Sequence, residues 1–268
     1  QSLTLSRTLL MDETAVYFED VRTQTVDLRG RRHVVMKSTG FSSLRVTAVM
    51  SVWADGRKAV PMVIHKGKEG RISRQSGPIL YTTQSKAWVC QDLLIQWIDA
   101  MFPLVDTAPG KCIVWDSCRA HIAKTVKEHC RRRNIEMIVI PGGMTAYLQA
   151  GDIGIYREFK DRMCAIIHTW KNSDQVEYTR NGNPKPPDQG VVRSRVLDSW
   201  RQVALTNIKS SIQAAGFHQD YNQWHIAKHD VYGQAFKEAW MNGMEMEVNV
   251  EALEEIAQED DVYDCIED

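Results

Sequence analysis

No run of residues in this sequence approaches the ~18 consecutive apolar positions that a membrane-crossing helix needs, so an α-helical span is not expected. Also missing is the basic start followed by an apolar stretch that marks a secretory signal. The chain does not begin with Met, and it is expected to be a fragment or a processed form. Six cysteines are present (Cys90, Cys112, Cys118, Cys130, Cys164, Cys265), but none stands in a C-x-x-C pair. That spacing suggests neither a zinc ribbon nor a disulfide framework, and a reducing compartment fits better. His225 and His229 are four apart but lack the glutamate of an H-E-x-x-H pattern, so the pair reads as structural. No internal repeat is visible.

Charge of one sign is scarce overall, with a formal net of −1, but its distribution is uneven. The segment from Glu245 to Asp268 holds eleven acidic residues and no Lys or Arg; with 33 basic and 34 acidic residues in all, residues 1–244 carry 33 − 23 = +10. A basic body suits a polyanionic partner. The acidic tail reads as a solvated, disordered segment or as a competitor for the same surface. At 268 residues and 43% hydrophobic, the chain can bury one substantial core, or one core plus a smaller lobe.

Residue patterning predicts a strand at 8–16, a turn-rich hairpin around 27–32, and strands at 46–53 and 60–64 joined by the Asp55-Gly56 turn. Leu93, Leu94, Trp97, Ile98 and Met101 recur at helical spacing within 89–102. A buried strand at 111–115, a helix at 120–133 and a strand at 136–140 follow. This is a mixed α/β arrangement around one sheet. The polar segment 172–190 is a loop; helices are expected at 191–215, stopped by Gly216, and at 230–241. The expected organisation is a core at 1–172, a C-terminal helical segment at 173–243 and an acidic, disordered tail at 244–268.

Three aspartates stand where a charge needs a reason. Asp12 lies in the first strand, and alternation puts it and Glu13 on opposite faces, so only one of them is expected in a given site. Asp116 ends the most apolar strand; in open α/β sheets ligands bind at that end. Asp152 precedes a stripe of Tyr156, Phe159, Met163, Ile166, Ile167 and Trp170. Extrapolated backwards, the stripe places Asp152 on the core side of the first helical turn, where an N-cap role also accounts for it. Clustered carboxylates repel and need cations between them, and oxygen donors select Mg²⁺ or Mn²⁺. Two such ions ~3.5–4 Å apart can activate water and stabilise the leaving oxygen of a phosphodiester.

At this point the residues carry a resemblance. D-E-T at 12–14, R-V-T leading to A-D-G within 45–56, P-M-V-I-H-K-G-K at 61–68, W-D-S-C-R-A-H at 115–121, L-Q-A-G-D-I-G at 148–154 and the helical segment 196–217 follow one another in order. The sequence resembles the DDE endonuclease domain of the pogo/Tigger/jerky branch of Tc1–mariner transposases, to which centromere protein B is also similar. The resemblance implies an RNase H-like mixed sheet flanked by helices, with a C-terminal helical extension. It implies that Asp12, Asp116 and Asp152 are catalytic and bind two Mg²⁺ or Mn²⁺ ions. It also implies DNA hydrolysis followed by strand transfer, in the nucleus. His121 and Gln149 match residues expected to orient carboxylates or phosphate; for His121, a helix-end histidine packed on the sheet is the alternative. A DNA-targeting helix-turn-helix domain is expected upstream, and a homodimer is compatible with this class.

Three positions depart from the family pattern: Leu10 and Ser117 replace asparagines, and Q-A-G-D replaces Q-P-L-D at 149–152. Gly151 is expected to loosen the placement of Asp152. These altered supports leave a second reading, a domesticated DNA-binding or chromatin protein without catalysis. Arg29, Arg31, Arg32 and His33 form one basic cluster, Lys66, Lys68, Arg71 and Arg74 a second, and Arg131, Arg132 and Arg133 a third. The first two are expected to flank the site and touch DNA phosphates.

Overall fold

The computed structural model describes residues 4–18, 45–74, 77–106, 108–182 and 184–229. The hairpin expected at 27–32, the helix expected at 230–241, the tail, and Arg29, Arg31, Arg32 and His33 lie outside the described residues.

A seven-stranded sheet organises the chain, built from β1 (Thr8–Tyr17), β2 (Arg45–Trp53), β3 (Met62–Lys66), β4 (Ser73–Arg74), β5 (Leu80–Gln84), β6 (Lys111–Asp116) and β7 (Ile135–Ile140). Its spatial order is β4-β5-β3-β2-β1-β6-β7. β1 and β2 pair antiparallel, as do β2 and β3, whereas β1, β6 and β7 run parallel. The β2–β3 connection is the expected turn, with Gly56 at φ +96°, a left-handed conformation natural to glycine. β4 and β5 escaped the sequence reading because a two-residue strand and a threonine-rich one carry little apolar alternation.

Alternation gives the sheet two buried faces. Leu10, Val16, Met50, Val52 and Val114 pack beneath α5 (Tyr156–Lys171), α6 (Gln189–Gln202) and α7 (Leu205–Ile212), against Phe159, Met163, Val196, Trp200 and Ile208. Leu9, Met11, Val49, Ile64, Ile113 and Trp115 pack against Leu94, Trp97 and Ile98 of α1 (Gln91–Met101) and Val126 of α3 (Lys124–Arg132). Helices beyond residue 188 thus share one core with the sheet. Each fully buried large side chain, such as Phe159 or Trp97, contributes on the order of 2–3 kcal/mol.

Two expected helices are broken, each for a local reason. The helix expected at 120–133 is split by Ala123, whose ψ of 140° is extended, into α2 (Arg119–Ile122) and α3. The helix expected at 191–215 stops after Gln202. There the Lys58 ammonium donates to the carbonyls of Trp200, Arg201 and Val203 at 2.6–2.8 Å, satisfying acceptors that a helix end leaves free. Glu158 then accepts from the backbone N–H of Ala204, at the start of α7, and from the Asn207 amide. A cation at a helix C-terminus and an anion at an N-terminus also match the helix dipoles.

Candidate active site

Strand register, a non-local property, brings the first two acids together. The β1–β6 ladder runs from Thr8↔Cys112 to Leu10↔Val114. The offset is 112 − 8 = 104, and the same offset sets Asp12 level with Asp116 on the neighbouring parallel strand. Side chains at one level of a parallel pair point to the same side, here the face covered by α5. Asp152 comes from a π-helical turn (Gly151–Ile155) that feeds directly into α5. Such turns recur at functional sites.

Electrostatics bind the three into one unit. Asp12 is 9% exposed, and its pKa is pushed up to about 8, first by burial, then by the charge of Asp152, with Glu13 and Asp116 adding to it. The backbone N–H of Glu13, 2.7 Å from Asp12 Oδ1, opposes the shift. Burial likewise raises Asp152, with Asp116 adding and Lys160 opposing. Asp116 goes the other way. Burial pushes it up, but the His121 ring and the N–H of Cys118 outweigh that and hold it below the usual carboxylate range. One fold therefore pulls neighbouring carboxylates apart in acidity, a pattern that marks functional sites.

His121 combines both roles considered for it. Its ring is buried and stacks on Trp115, with centroids 4.8 Å apart and planes 12° from parallel. Nδ1 lies 2.6 Å from Asp116 Oδ1, and Nε2 lies 3.1 Å from Glu13 Oε1. Burial disfavours protonation of this ring, but the bonds and charges of Asp116 and Glu13 overcome it and hold its pKa at about 10. Glu13 sits on the opposite face from Asp12, as alternation requires, yet it reaches the site through the imidazolium. The expectation that only one of the two could take part is corrected on that ground.

Three more expectations need correction. Asp152 is open to solvent on one side while desolvated enough on the other to raise its pKa, rather than turned wholly into the core. The π turn breaks the spacing of three and four on which the backward extrapolation relied, and Gly151, Ile155 and Tyr156 take the buried positions. No side chain caps the start of α5 or of the π turn, so an N-cap role is not found for Asp152. Gly151 is not a point of slack either: a Cβ there would lie 2.6 Å from Cε2 and Cζ of Tyr156. Gln149 is buried, but its amide oxygen and nitrogen have no hydrogen-bond partner among the described residues. Tyr156, counted as core in the sequence, is buried in that core and lines the same small cavity as Asp12, Ser51 and Gln149.

The donor set of the three aspartates is all oxygen, and Asp12 is a buried acid with no cationic partner among the described residues, which fits a hard divalent ion. Among the described residues, the group whose possible ligand atoms all lie within 4.8 Å of one another is Asp116, Cys118 and His121, not the three aspartates.

Lys66, Lys68, Arg71 and Arg74 are exposed along the β3–β4–β5 edge, with β2 between them and β1. They do not line the acids. Lys66 ends β3, which runs parallel to β1, so it lies at the same end of the sheet as Asp116. Arg131 and Arg132 are exposed at the opposite end, ahead of β7, and Arg133 is tied to Asp99 and the Phe102 carbonyl.

A central β3-β2-β1-β6-β7 order with β2 alone reversed, carrying acids on the two middle parallel strands, defines an RNase H-like fold. The same fold is found in the Mos1 strand transfer complex (TM-score 0.51, 12% identity, 79% of this chain and 52% of that chain) and the pre-cleavage Mos1 transpososome (TM-score 0.51, 10% identity, 79% and 53%). By sequence, residues 43–215 match the DDE superfamily endonuclease family, and the chain belongs to it. Relatives include the human protein called Pogo transposable element with KRAB domain, 28% identical over 200 residues, and its mouse counterpart, 26% identical. Those matches cover 74% of this chain and 33% of either relative, so the chain spans about a third of their length.

Proposed function

We propose that this domain hydrolyses and rejoins DNA phosphodiester bonds, with Asp12, Asp116 and Asp152 holding two Mg²⁺ or Mn²⁺ ions. The observation that carries this reading is that the parallel β1–β6 register, paired as far as Leu10 opposite Val114, leads on to Asp12 and Asp116, with Asp152 electrostatically coupled to both. Divalent cations in such a site would supply positive charge to the phosphodiester and to the attacking and leaving oxygens. The protein's own groups do the placing. His121 holds Asp116 by one oxygen, leaving the other free, and Glu13 fixes the far side of the ring. Exposure of Asp152 leaves the site open to a duplex end.

In the first reaction a water oxygen bonds to phosphorus as the P–O3′ bond breaks, and the departing 3′ oxygen takes up a proton. In the second, the freed 3′ hydroxyl attacks phosphorus in target DNA and releases another 3′ hydroxyl, so no external energy source is needed. Lys66, Lys68, Arg71 and Arg74 would carry flanking phosphates along the sheet edge; Arg29, Arg31 and Arg32 keep the same proposed role. DNA as substrate makes a nuclear location part of this reading, with end recognition assigned to an upstream helix-turn-helix domain and pairing of ends to a homodimer. Nicking of plasmid DNA by the full-length protein in Mg²⁺ tests it. Asp12→Asn and Asp116→Asn should fall to background while DNA binding persists. Equal nicking by wild type and variants would refute it, as would DNA binding with no nicking by any of them.

A further inference from the structure

We propose that Trp88 is a stacking platform for an unpaired DNA base, at the same end of the sheet as Asp116. This rests on DNA as the substrate proposed above and adds a residue that the basic clusters did not include. Trp88 is 56% exposed, on the turn between β5 and α1. The guanidinium of Arg45 lies over its ring, 5.5 Å from the centroid, and Arg45 Nε is buried with no hydrogen-bond partner among the described residues. Arg45 begins β2 opposite Tyr17, at the end towards which β1 runs, and Tyr17 is itself 40% exposed. Lys66 pairs with Gln84, the last residue of β5, so both stand at that end. The Thr83 hydroxyl donates to the carbonyl of Lys68, which keeps that residue beside the same strand. Exposed Lys66, Lys68 and Lys86 thus join Arg45 around the turn, with Glu69 and Asp92 as the acids nearest to them in sequence.

The turn holds that ring outward by a fixed backbone. Ala87 is buried and takes a left-handed φ of +56°, a costly conformation for a residue with a side chain. Its carbonyl accepts from the Thr47 hydroxyl at 2.6 Å, within the core. The Gln84 side-chain oxygen accepts from the backbone N–H groups of Lys86 and Trp88, at 2.6 and 3.2 Å. A strained turn tied at three points keeps a large apolar side chain in water, and strain of this kind gathers where a ligand is held. The surroundings identify the ligand. The cations suit a polyanion, and an indole backed by a guanidinium offers a flat surface to another ring. In a duplex interior both faces of each base are already stacked, so the base that can use Trp88 is one at a frayed, nicked or single-stranded position. Lys66 and Lys68 would then carry the phosphates next to it. The ring holds a base, and the lysines hold a backbone.

Fluorescence anisotropy with the full-length protein in chelator, where no strand is cut, tests this on three labelled probes: a duplex, the same duplex with a single-stranded tail, and that tail built from abasic sugars. Wild type should bind the ordinary tail about 5–100-fold more tightly than the abasic one. Trp88→Ala should erase that preference. Its affinity for the abasic tail, its salt dependence and its melting temperature should stay near wild type, because the ring neutralises no phosphate and lies largely in water. Trp88→Phe should restore part of the preference. Lys66→Ala combined with Lys68→Ala should flatten the salt dependence and keep the preference for bases. A base preference that survives in folded Trp88→Ala protein, or that wild type lacks, would overturn the proposal. So would an equal loss on all three probes, which would make the ring a general contact. These outcomes leave the nuclease reading intact, since that stands on nicking by wild type against Asp12→Asn. Failure of wild type to bind any probe would remove both.

Discussion

Two places in this molecule gather charge at half-buried positions, and they treat it in opposite ways. At the joint between α6 and α7, Lys58 meets three carbonyls at the helix end and Glu158 meets the backbone N–H of Ala204, an amide and, at 2.6 Å, the Arg162 guanidinium. Every charge there has its complement. At the level of Asp12 and Asp116, three carboxylates converge, and the only cation in direct contact with any of them among the described residues is His121, bonded to Asp116. The joint spends its charges on architecture. The strand site leaves negative charge uncompensated, which a fold tolerates only where something else completes it.

That contrast can be broken or sharpened by measurement. The largest effect is expected at the joint: Lys58→Met should lower unfolding free energy by roughly 2–4 kcal/mol, because three charge-assisted bonds to the end of α6 are lost. Urea denaturation reads this directly, and a change under ~1 kcal/mol would mean that water replaces the ammonium without loss. Next in size is the buried His65, on the α6-covered face, whose Nε2 has no partner among the described residues. Burial comes first and the Arg193 charge second in lowering its pKa from 6.5 to about 4, against the pull of Asp188. Between those values the unfolded chain binds the extra proton, so stability rises with pH. Stability should therefore be lost as pH falls from about 6.5 to about 4, by roughly 2 kcal/mol. His65→Phe should flatten that part of the wild-type pH profile; an unaltered slope would show that ring to be protonated within the fold.

The smallest effect is at the site itself. With divalent ions chelated, Asp12→Asn should raise stability by ~1 kcal/mol, since a neutral amide replaces an acid that burial and neighbouring charge disfavour. The same variant should lose the thermal stabilisation that Mn²⁺ gives wild type. Destabilisation in chelator would mean that Asp12 is compensated as fully as Lys58, and the contrast between the two regions would collapse.

Much of the scaffold was legible. Alternation in L-L-M-D-E-T and V-T-A-V-M-S-V-W marks β1 and β2, and the Leu93-to-Met101 spacing marks α1, because local periodicity directly encodes which face is buried. The extended break at Ala123 and the joint after Gln202 were not legible. The latter depends on Lys58 and Glu158, which lie 142 and 46 positions away from the groups they serve. The turn that carries Asp152 was read as the first turn of an α-helix, because a π turn looks like an α turn in sequence until its spacing is measured in space. The basic residues 66–74 were visible as a cluster, yet their position on the sheet edge follows from the β4-β5-β3 order alone.

Sequence by itself determined the kinds of element, the two apolar faces and the identity of the chemistry-bearing side chains, since each depends on residues within one turn or two strand positions. Tertiary structure decided which of those side chains meet. An offset of 104 residues directs Asp12 towards Asp116, the Tyr156 ring packs into the space beside Gly151, and an imidazolium bridges two faces of the sheet. These are long-range pairings, fixed by the burial of a whole core rather than by any local preference.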